Sequence, residues 1–174
     1  MASGCSIRRK CIGKVTNEMG HEARLKELDL ELPLAARSLG VYRPVVVVGG
    51  LAYLSGHGPV GADGTAICGR LGDNLEKEAG YEAARRTGMA MLATLRQRFG
   101  SLDAVRRIIK TTGFVHATPE FKDHPAVING FSELMRDVFG QDAGIGARSA
   151  MGVASLPAGW AVEIEAIFEL EEMN

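Results

Sequence analysis

The chain has 174 residues, of which 46 % are hydrophobic and 24 % are charged, a composition typical of one soluble globular domain. This composition excludes a disordered chain and a disulfide scaffold, and the longest apolar runs, at residues 45–48 and 51–54, are too short for a membrane helix. The 20 Lys and Arg residues against 21 Asp and Glu residues give a formal net charge of −1, which provides no general attraction to nucleic acid or to a membrane surface.

The cysteines and the N-terminal residues indicate the cellular compartment. The three cysteines form no Cys-x-x-Cys pair, and no histidine spacing completes a metal-binding set. We therefore expect free thiols in a reducing cytoplasm and no metal site. The first residues are partly basic but lack an apolar segment of signal-peptide length. We expect residues 1–20 to form a flexible extension, with a transit peptide as the alternative that their Arg and Ser content leaves open, and residues 21–174 to form a single domain.

The first half of the chain predicts a short helix, a β-hairpin and a long helix. Leucines at spacings of three and four favour a helix over residues 21–32, which a proline ends. Two apolar runs flank Gly49-Gly50 and predict a hairpin, because tight hairpin turns need positive φ angles. Six glycines mark residues 56–72 as a loop, with a short strand near residues 65–68. Apolar and small residues at helical spacing then predict a helix over residues 74–98.

The long helix carries a stripe of small residues. Gly80, Ala84 and Gly88 recur at a spacing of four on the face that also carries Met91 and Leu95. A glycine inside a helix costs about 1 kcal/mol relative to alanine. We therefore expect this face to approach another element closely, and a β-sheet is the neighbour that we expect.

The second half of the chain predicts a strand, a helix and two further strands. Their expected positions are residues 107–116, 124–139, 147–155 and 160–170. The last strand alternates apolar side chains with Glu163, Glu165 and others at period two over eleven residues. The element order predicts an α+β fold, with two helices on one face of a single mixed sheet. Because Ile167 accompanies the glutamates on the other face, we expect a subunit interface to cover that face.

Three side chains are candidates for chemistry. His57 lies in the loop Ser55-Gly56-His57-Gly58-Pro59 after a predicted strand, and loops at strand ends often carry functional residues. Arg148 follows a Gly-rich loop, and its guanidinium suits a carboxylate ligand. Glu163 is a general acid or base if a partner covers its face, and a solvated polar residue if none does. His57 and Arg148 likewise fit ordinary structural or surface roles.

Three groups of motifs run along the chain. They are LGVY at residues 39–42 with LSG at 54–56, SLDAV at 101–105 with Thr111 and Phe114-Val115, and ARSAMGVASLP at 147–157 with VEIEA at 162–166. In this order the motifs resemble those of the Rid family (YjgF/RidA, formerly endoribonuclease L-PSP), over about residues 39–170. The Ser-Gly-His-Gly-Pro loop and the residues before the core resemble a subgroup with an added N-terminal helix.

The resemblance implies a chorismate-mutase-like α+β fold and a homotrimer with ligand clefts between subunits. It also implies hydrolysis of reactive enamines and imines to ketoacids and ammonia, with no cofactor or metal. The implied partners are the chain itself and a small carboxylate-bearing imine or ketoacid. Carried onto this sequence, Arg148 holds the substrate carboxylate, Glu163 orients or deprotonates water, and Tyr42 closes the pocket. The other implied substrate contacts are Ser55, Gly56, His57, Asn129, Ser149 and Ala150.

The sequence departs from the family pattern near the expected cleft. Ala150 stands where many members have cysteine, Arg43 replaces the serine of a Pro-Tyr-Ser motif, and His57 replaces glutamine. These changes bear on substrate identity. Three functions stay open: an imine or enamine deaminase, which we favour, a non-catalytic binder of small metabolites, and an endoribonuclease. The near-neutral charge and the lack of a histidine pair or metal set disfavour the endoribonuclease, although His57 with Glu163 is a candidate acid–base pair for it.

Overall fold

The computed structural model describes residues 19–35, 37–38 and 40–172. The expected extension at residues 1–20 therefore lies almost wholly outside the described residues. The helices are α1 His21–Glu27, α2 Lys77–Phe99 and α3 His124–Phe139. The strands are β1 Val45–Val48, β2 Leu51–His57, β3 Val105–His116, β4 Ala147–Val153 and β5 Val162–Leu170. No helix within these described ranges is long and apolar enough to cross a membrane.

The five strands form one mixed sheet in the order β1-β2-β5-β3-β4. The pair β3–β4 is parallel and is connected through α3, whereas the other neighbouring strands pair antiparallel. The Gly49-Gly50 hairpin forms as expected, with both glycines at positive φ. The α+β class and the single mixed sheet are therefore confirmed. The strand β4 lies at one edge of the sheet.

Alternating residues of the sheet point toward the helices or away from them. In β5, Val162, Ile164 and Phe168 are fully buried, whereas Glu163 and Glu165 are not. The predicted period-two pattern of this strand is thus confirmed. The helices lie over the apolar side, and we call the side that carries the two glutamates the open face, because no described helix packs on it.

Two local predictions differ from the structure. The first helix ends at Glu27, earlier than expected, because Asp29 adopts a left-handed conformation with φ of 51°. The expected strand near residues 65–68 is reduced to isolated bridges, one of which joins Cys68 to Trp160. The glycines of this loop give the backbone turns that a continuous strand does not allow.

The small-residue stripe of α2 faces α3, so the expectation of a sheet as its neighbour was wrong. A Cβ atom on Gly88 would lie 2.8 Å from Cδ2 of Leu134, and one on Gly80 would lie 3.1 Å from Cγ2 of Val127. Gly130 of α3 is packed still more tightly, because a Cβ atom there would collide with the carbonyl oxygen of Tyr81 in α2. The two helices therefore meet almost backbone to backbone and cover the sheet as one layer.

Candidate functional site

Arg148, on the edge strand β4, is held by one face of α3. Its Nη1 donates to Oδ1 of Asn129 at 2.8 Å and to Oγ of Ser132 at 3.0 Å, and its Nη2 donates to the carbonyl oxygen of Pro125 at 3.3 Å. Positions 125, 129 and 132 are four and three residues apart, so they share a helix face. These bonds use three of the five guanidinium N–H groups. Among the residues that the structure describes, none accepts from the Nε–H or from the second Nη2–H, and two such groups suit a carboxylate.

Asn129, an expected substrate contact, therefore acts on Arg148 directly. Sequence reasoning missed Ser132 and the carbonyl of Pro125, although their helical spacing from Asn129 was visible. A small apolar hollow adjoins the guanidinium, between α3 and the start of β4. Its lining includes Ile108, Phe131, Met135 and Ile145.

Glu163 lies on the open face near the start of β5, the central strand of the sheet. Its carboxylate extends across β2 over Gly56, where a Cβ atom would collide with Oε1. Gly56 is therefore required for the space that it leaves to Glu163. Burial raises the pKa of the Glu163 carboxyl above its ordinary value, and the negative charge of Glu165 raises it further. A carboxylate with a raised pKa is a stronger proton acceptor in its ionised form than an ordinary one.

Ser55, which precedes Gly56 in β2, is hydrogen-bonded to the segment that follows Tyr42. The Ser55 hydroxyl donates to the carbonyl of Arg43 at 2.8 Å, and the Ser55 N–H donates to the carbonyl of Pro44 at 3.0 Å. The phenol of Tyr42 is about half exposed, at 46 %. The structure thus brings Tyr42, Ser55 and Gly56 to the same end of the sheet as Glu163.

His57 lies on the opposite side of the sheet from Glu163. It is only 3 % exposed, beneath α2. Its Nδ1 lies 2.7 Å from the Ser55 carbonyl oxygen, which can only accept, so Nδ1 carries the proton. Its Nε2 lies 2.9 Å from Oγ1 of Thr94, a hydroxyl that also lies 3.1 Å from the carbonyl oxygen of Ala90 and has one hydrogen for the two acceptors. Burial lowers the pKa of this imidazole, which is therefore neutral.

The expected substrate contact of His57 is consequently not available to a ligand on the open face. For the same reason His57 and Glu163 do not form the acid–base pair that the endoribonuclease hypothesis needs. The physical cause is a register shift between Leu54 and His57 in the β2–β5 pairing. The extra residue turns His57 to the helix side.

Ser149 and Ala150 are separated by the alternation of β4. The hydroxyl of Ser149 accepts a hydrogen bond from Nζ of Lys110 at 2.8 Å, on the open face. Ala150 points the other way, with Arg148, and packs against the core. Only Ala150 of these two therefore lies on the side of the sheet from which Arg148 extends.

The register of the sheet places Arg148 and Glu163 on opposite faces. Thr111, which is buried on the helix side, pairs with both Arg148 and Ala166. Phe114, three residues further along β3, pairs with Glu163. Paired residues point to the same face and successive residues alternate. One chain therefore does not present both side chains to one small ligand on the same face of its sheet.

Comparisons with known proteins agree with this architecture. Residues 22–160 match the family model described as "YjgF/chorismate mutase-like, putative endoribonuclease". Protein TCP17 of Trypanosoma cruzi is 38 % identical over 148 residues, which cover 85 % of this chain and 92 % of that protein. The crystal structure of Atu1372 from Agrobacterium tumefaciens, a protein of unknown function, has a TM-score of 0.79 and 39 % identity, covering 87 % of this chain and 92 % of that one. A protein from Shewanella oneidensis described as a putative endoribonuclease has a TM-score of 0.82 and 30 % identity, covering 87 % and 99 %.

Proposed function

Because this chain belongs to the YjgF/chorismate-mutase-like family, whose membership supports a role in handling small molecules, we propose that it hydrolyses reactive imines and enamines to ketoacids and ammonia. The observation that carries the proposal is the guanidinium of Arg148. Asn129 and Ser132 fix its orientation, and two parallel N–H groups remain for a carboxylate. Imines derived from amino acids carry such a carboxylate next to the reacting carbon.

The reaction needs few groups because an iminium carbon is already electrophilic. Arg148 binds the carboxylate and so places this carbon beside Glu163. The ionised Glu163 carboxylate accepts a proton from water as the water oxygen bonds to the imine carbon. Glu163 then returns this proton to the nitrogen of the tetrahedral adduct, and the C–N bond breaks with its electron pair leaving on ammonia. The adduct's hydroxyl gives its proton to the ionised Glu163 as the ketone C=O bond forms, and ammonia takes that proton and leaves as ammonium. An enamine reaches the same path once its carbon is protonated.

The site is completed by assembly. Since Arg148 and Glu163 point to opposite faces of one sheet, the proposed cleft takes Arg148 from one copy and Glu163, Tyr42 and Ser55 from its neighbour. Val46, Tyr53 and Met151 leave apolar area exposed on the open face or its margins, each more than 40 % exposed, as expected of a surface that another copy covers. The homotrimer implied by the family resemblance is the assembly that we propose.

The test generates imines in situ with an amino-acid oxidase and follows ketoacid release with and without the protein. We expect the wild type to accelerate release, and Arg148→Ala to reduce the acceleration at least about tenfold, because a charge-assisted contact contributes about 1.5–3 kcal/mol. Arg98→Ala, an exposed change on α2, is the matched control and should keep full activity. No acceleration by the wild type over a broad set of imines, with ketoacid binding intact, would favour the non-catalytic binder.

The endoribonuclease is a second candidate, because the family description and the Shewanella relative carry that name. General acid–base cleavage of RNA needs two proton-transfer groups. The burial of His57 removes the partner that the sequence offered for Glu163. Incubation of the oligomer with labelled single-stranded RNA, with Glu163→Gln as control, tests this candidate directly.

A further inference from the structure

An extended segment next to β3, residues 69–71, brings Arg70 beside His116. The N–H of Leu71 donates to the carbonyl of His116 at 2.9 Å, and Leu71 also forms a parallel bridge with Ala117. Leu71 and Ala117 are buried in the core. Their preceding residues, Arg70 and His116, therefore both point away from the helices, toward the open face.

The backbone of Arg70 is fixed by its own turn. Its carbonyl oxygen accepts from the N–H groups of Asp73, Asn74 and Leu75 at 3.1–3.2 Å, and its N–H donates to Oδ1 of Asn74 at 2.6 Å. Gly72 follows at a positive φ, where a Cβ atom would lie 2.8 Å from Oγ1 of Thr118. The backbone position from which the Arg70 side chain extends is therefore fixed.

The side chains of Arg70 and His116 contrast with this rigid backbone. Among the residues that the structure describes, Nε of Arg70 and Nδ1 of His116 are buried and have no hydrogen-bond partner. A buried N–H group without an acceptor is costly, and folded proteins rarely leave one so. When Nδ1 carries the proton of the His116 ring, both nitrogens donate, and they then suit one acceptor with two oxygens.

His116 lies near Glu163 along the open face. Phe114 pairs with Glu163, and His116 lies two residues further along β3 on the same face. Two residues of a strand span about 6.5 Å. A substrate whose imine carbon reacts beside Glu163 therefore reaches Arg70 and His116 if a short chain extends from that carbon along the open face.

We infer that Arg70 and His116 bind a second carboxylate of the substrate, so that the protein selects imines of four- and five-carbon dicarboxylic amino acids. This inference rests on the proposed function, because it takes the first carboxylate to be held by Arg148. Arg70 supplies the charge, and a ring nitrogen of His116 donates to the second oxygen. The alternative course for the substrate's tail is the apolar hollow beside Arg148, which suits an aliphatic chain.

The experiment compares two ketoacid products of equal carbon number by isothermal titration. 2-Oxoglutarate has the second carboxylate and 2-oxovalerate has a methyl group in its place. We expect the wild type to bind 2-oxoglutarate at least about tenfold more tightly. Arg70→Met, which keeps the aliphatic stem, and His116→Leu should each remove most of this preference and leave the affinity for 2-oxovalerate unchanged.

The controls separate this inference from the proposed function. Arg98→Met removes the same charge from the exposed end of α2 and should keep the preference. Tighter binding of 2-oxovalerate than of 2-oxoglutarate, or a preference that persists in both variants, overturns the inference. The proposed function still stands in that case if Arg148→Ala weakens the binding of both ketoacids. If Arg70→Met dissociates the oligomer, Arg70 contacts a neighbouring copy and the inference is wrong. If the wild type binds neither ketoacid, the proposed function fails and this inference fails with it.

Discussion

The carboxylate of Glu163 lies directly over Gly56, in space that any other residue at position 56 would fill. The atom that a new Cβ would meet is the end of a flexible side chain, which can rotate away at little cost. The glycine at position 56 of β2 therefore determines where the Glu163 carboxylate lies.

We predict that Gly56→Ala displaces the Glu163 carboxylate while the protein stays folded. Imine hydrolysis should fall at least about tenfold, because the proton acceptor is moved from the attacking water. Stopped assays of ketoacid release measure the rate, and thermal unfolding checks the fold. Gly40→Ala is the matched control, since a Cβ there makes only an ordinary contact with Tyr42 at 3.8 Å. Equal activity of both variants and wild type would mean that Glu163 need not occupy this position.

Glu163→Gln should bind a ketoacid product and assemble like the wild type, yet lose at least about tenfold in hydrolysis rate. Burial raises the pKa of Glu163, and only its ionised form accepts a proton, so the wild-type rate should rise with pH through this raised pKa. The Gln variant should lack that rise. A full rate in the variant, or an unchanged pH profile, would show that another group takes the proton.

The buried His57 should make folding stability depend on pH. Its pKa is lowered in the folded state, so the unfolded chain takes up a proton at higher pH than the folded chain does. Stability should therefore fall as pH drops below about 6.5, the ordinary pKa of histidine. His57→Gln should show a smaller fall over the same range, measured by thermal unfolding at several pH values. His124, whose pKa is also lowered, is present in both proteins and cancels in the comparison. Identical pH dependence of the two proteins would place the neutral imidazole in doubt.

Gly130→Ala should destabilise the protein more than Gly88→Ala does. A Cβ at position 130 meets the carbonyl of Tyr81, which belongs to a helix backbone, whereas one at position 88 first meets the tip of Leu134. Overpacking of this kind costs about 1–3 kcal/mol in the free energy of unfolding, and a backbone obstacle belongs at the upper end. Urea denaturation of both variants gives the order. The reverse order would mean that α2 and α3 separate easily at Gly130.

Regular patterns in the sequence predicted most of the fold. The alternation around Glu163 predicted which residues lie on each face of β5. The spacing of apolar residues from Val127 to Val138 predicted α3 with its observed bounds. The stripe at Gly80 and Gly88 showed that something approaches α2 closely. It did not show what approaches, because spacing defines a helix face but not the element that covers it.

The candidate site was predicted less completely, and His57 shows why. Strict alternation from Tyr53 places Ser55 and residue 57 on one face, but the register shift after Leu54 moves His57 to the other. A one-residue irregularity of this kind has no periodic signature. Ser132 was missed for a different reason, since only the structure shows that it binds Arg148 together with Asn129.

The opposite orientation of Arg148 and Glu163 also determines how defects combine when copies of the chain mix. In the proposed trimer, a subunit without Arg148 inactivates the one cleft to which it would contribute Arg148. It still contributes Glu163 to its other cleft, which stays active. A subunit without Glu163 does the reverse. Two inactive variants, one of each kind, therefore rebuild intact clefts when they assemble together, whereas both defects carried by one chain leave every cleft that it touches inactive.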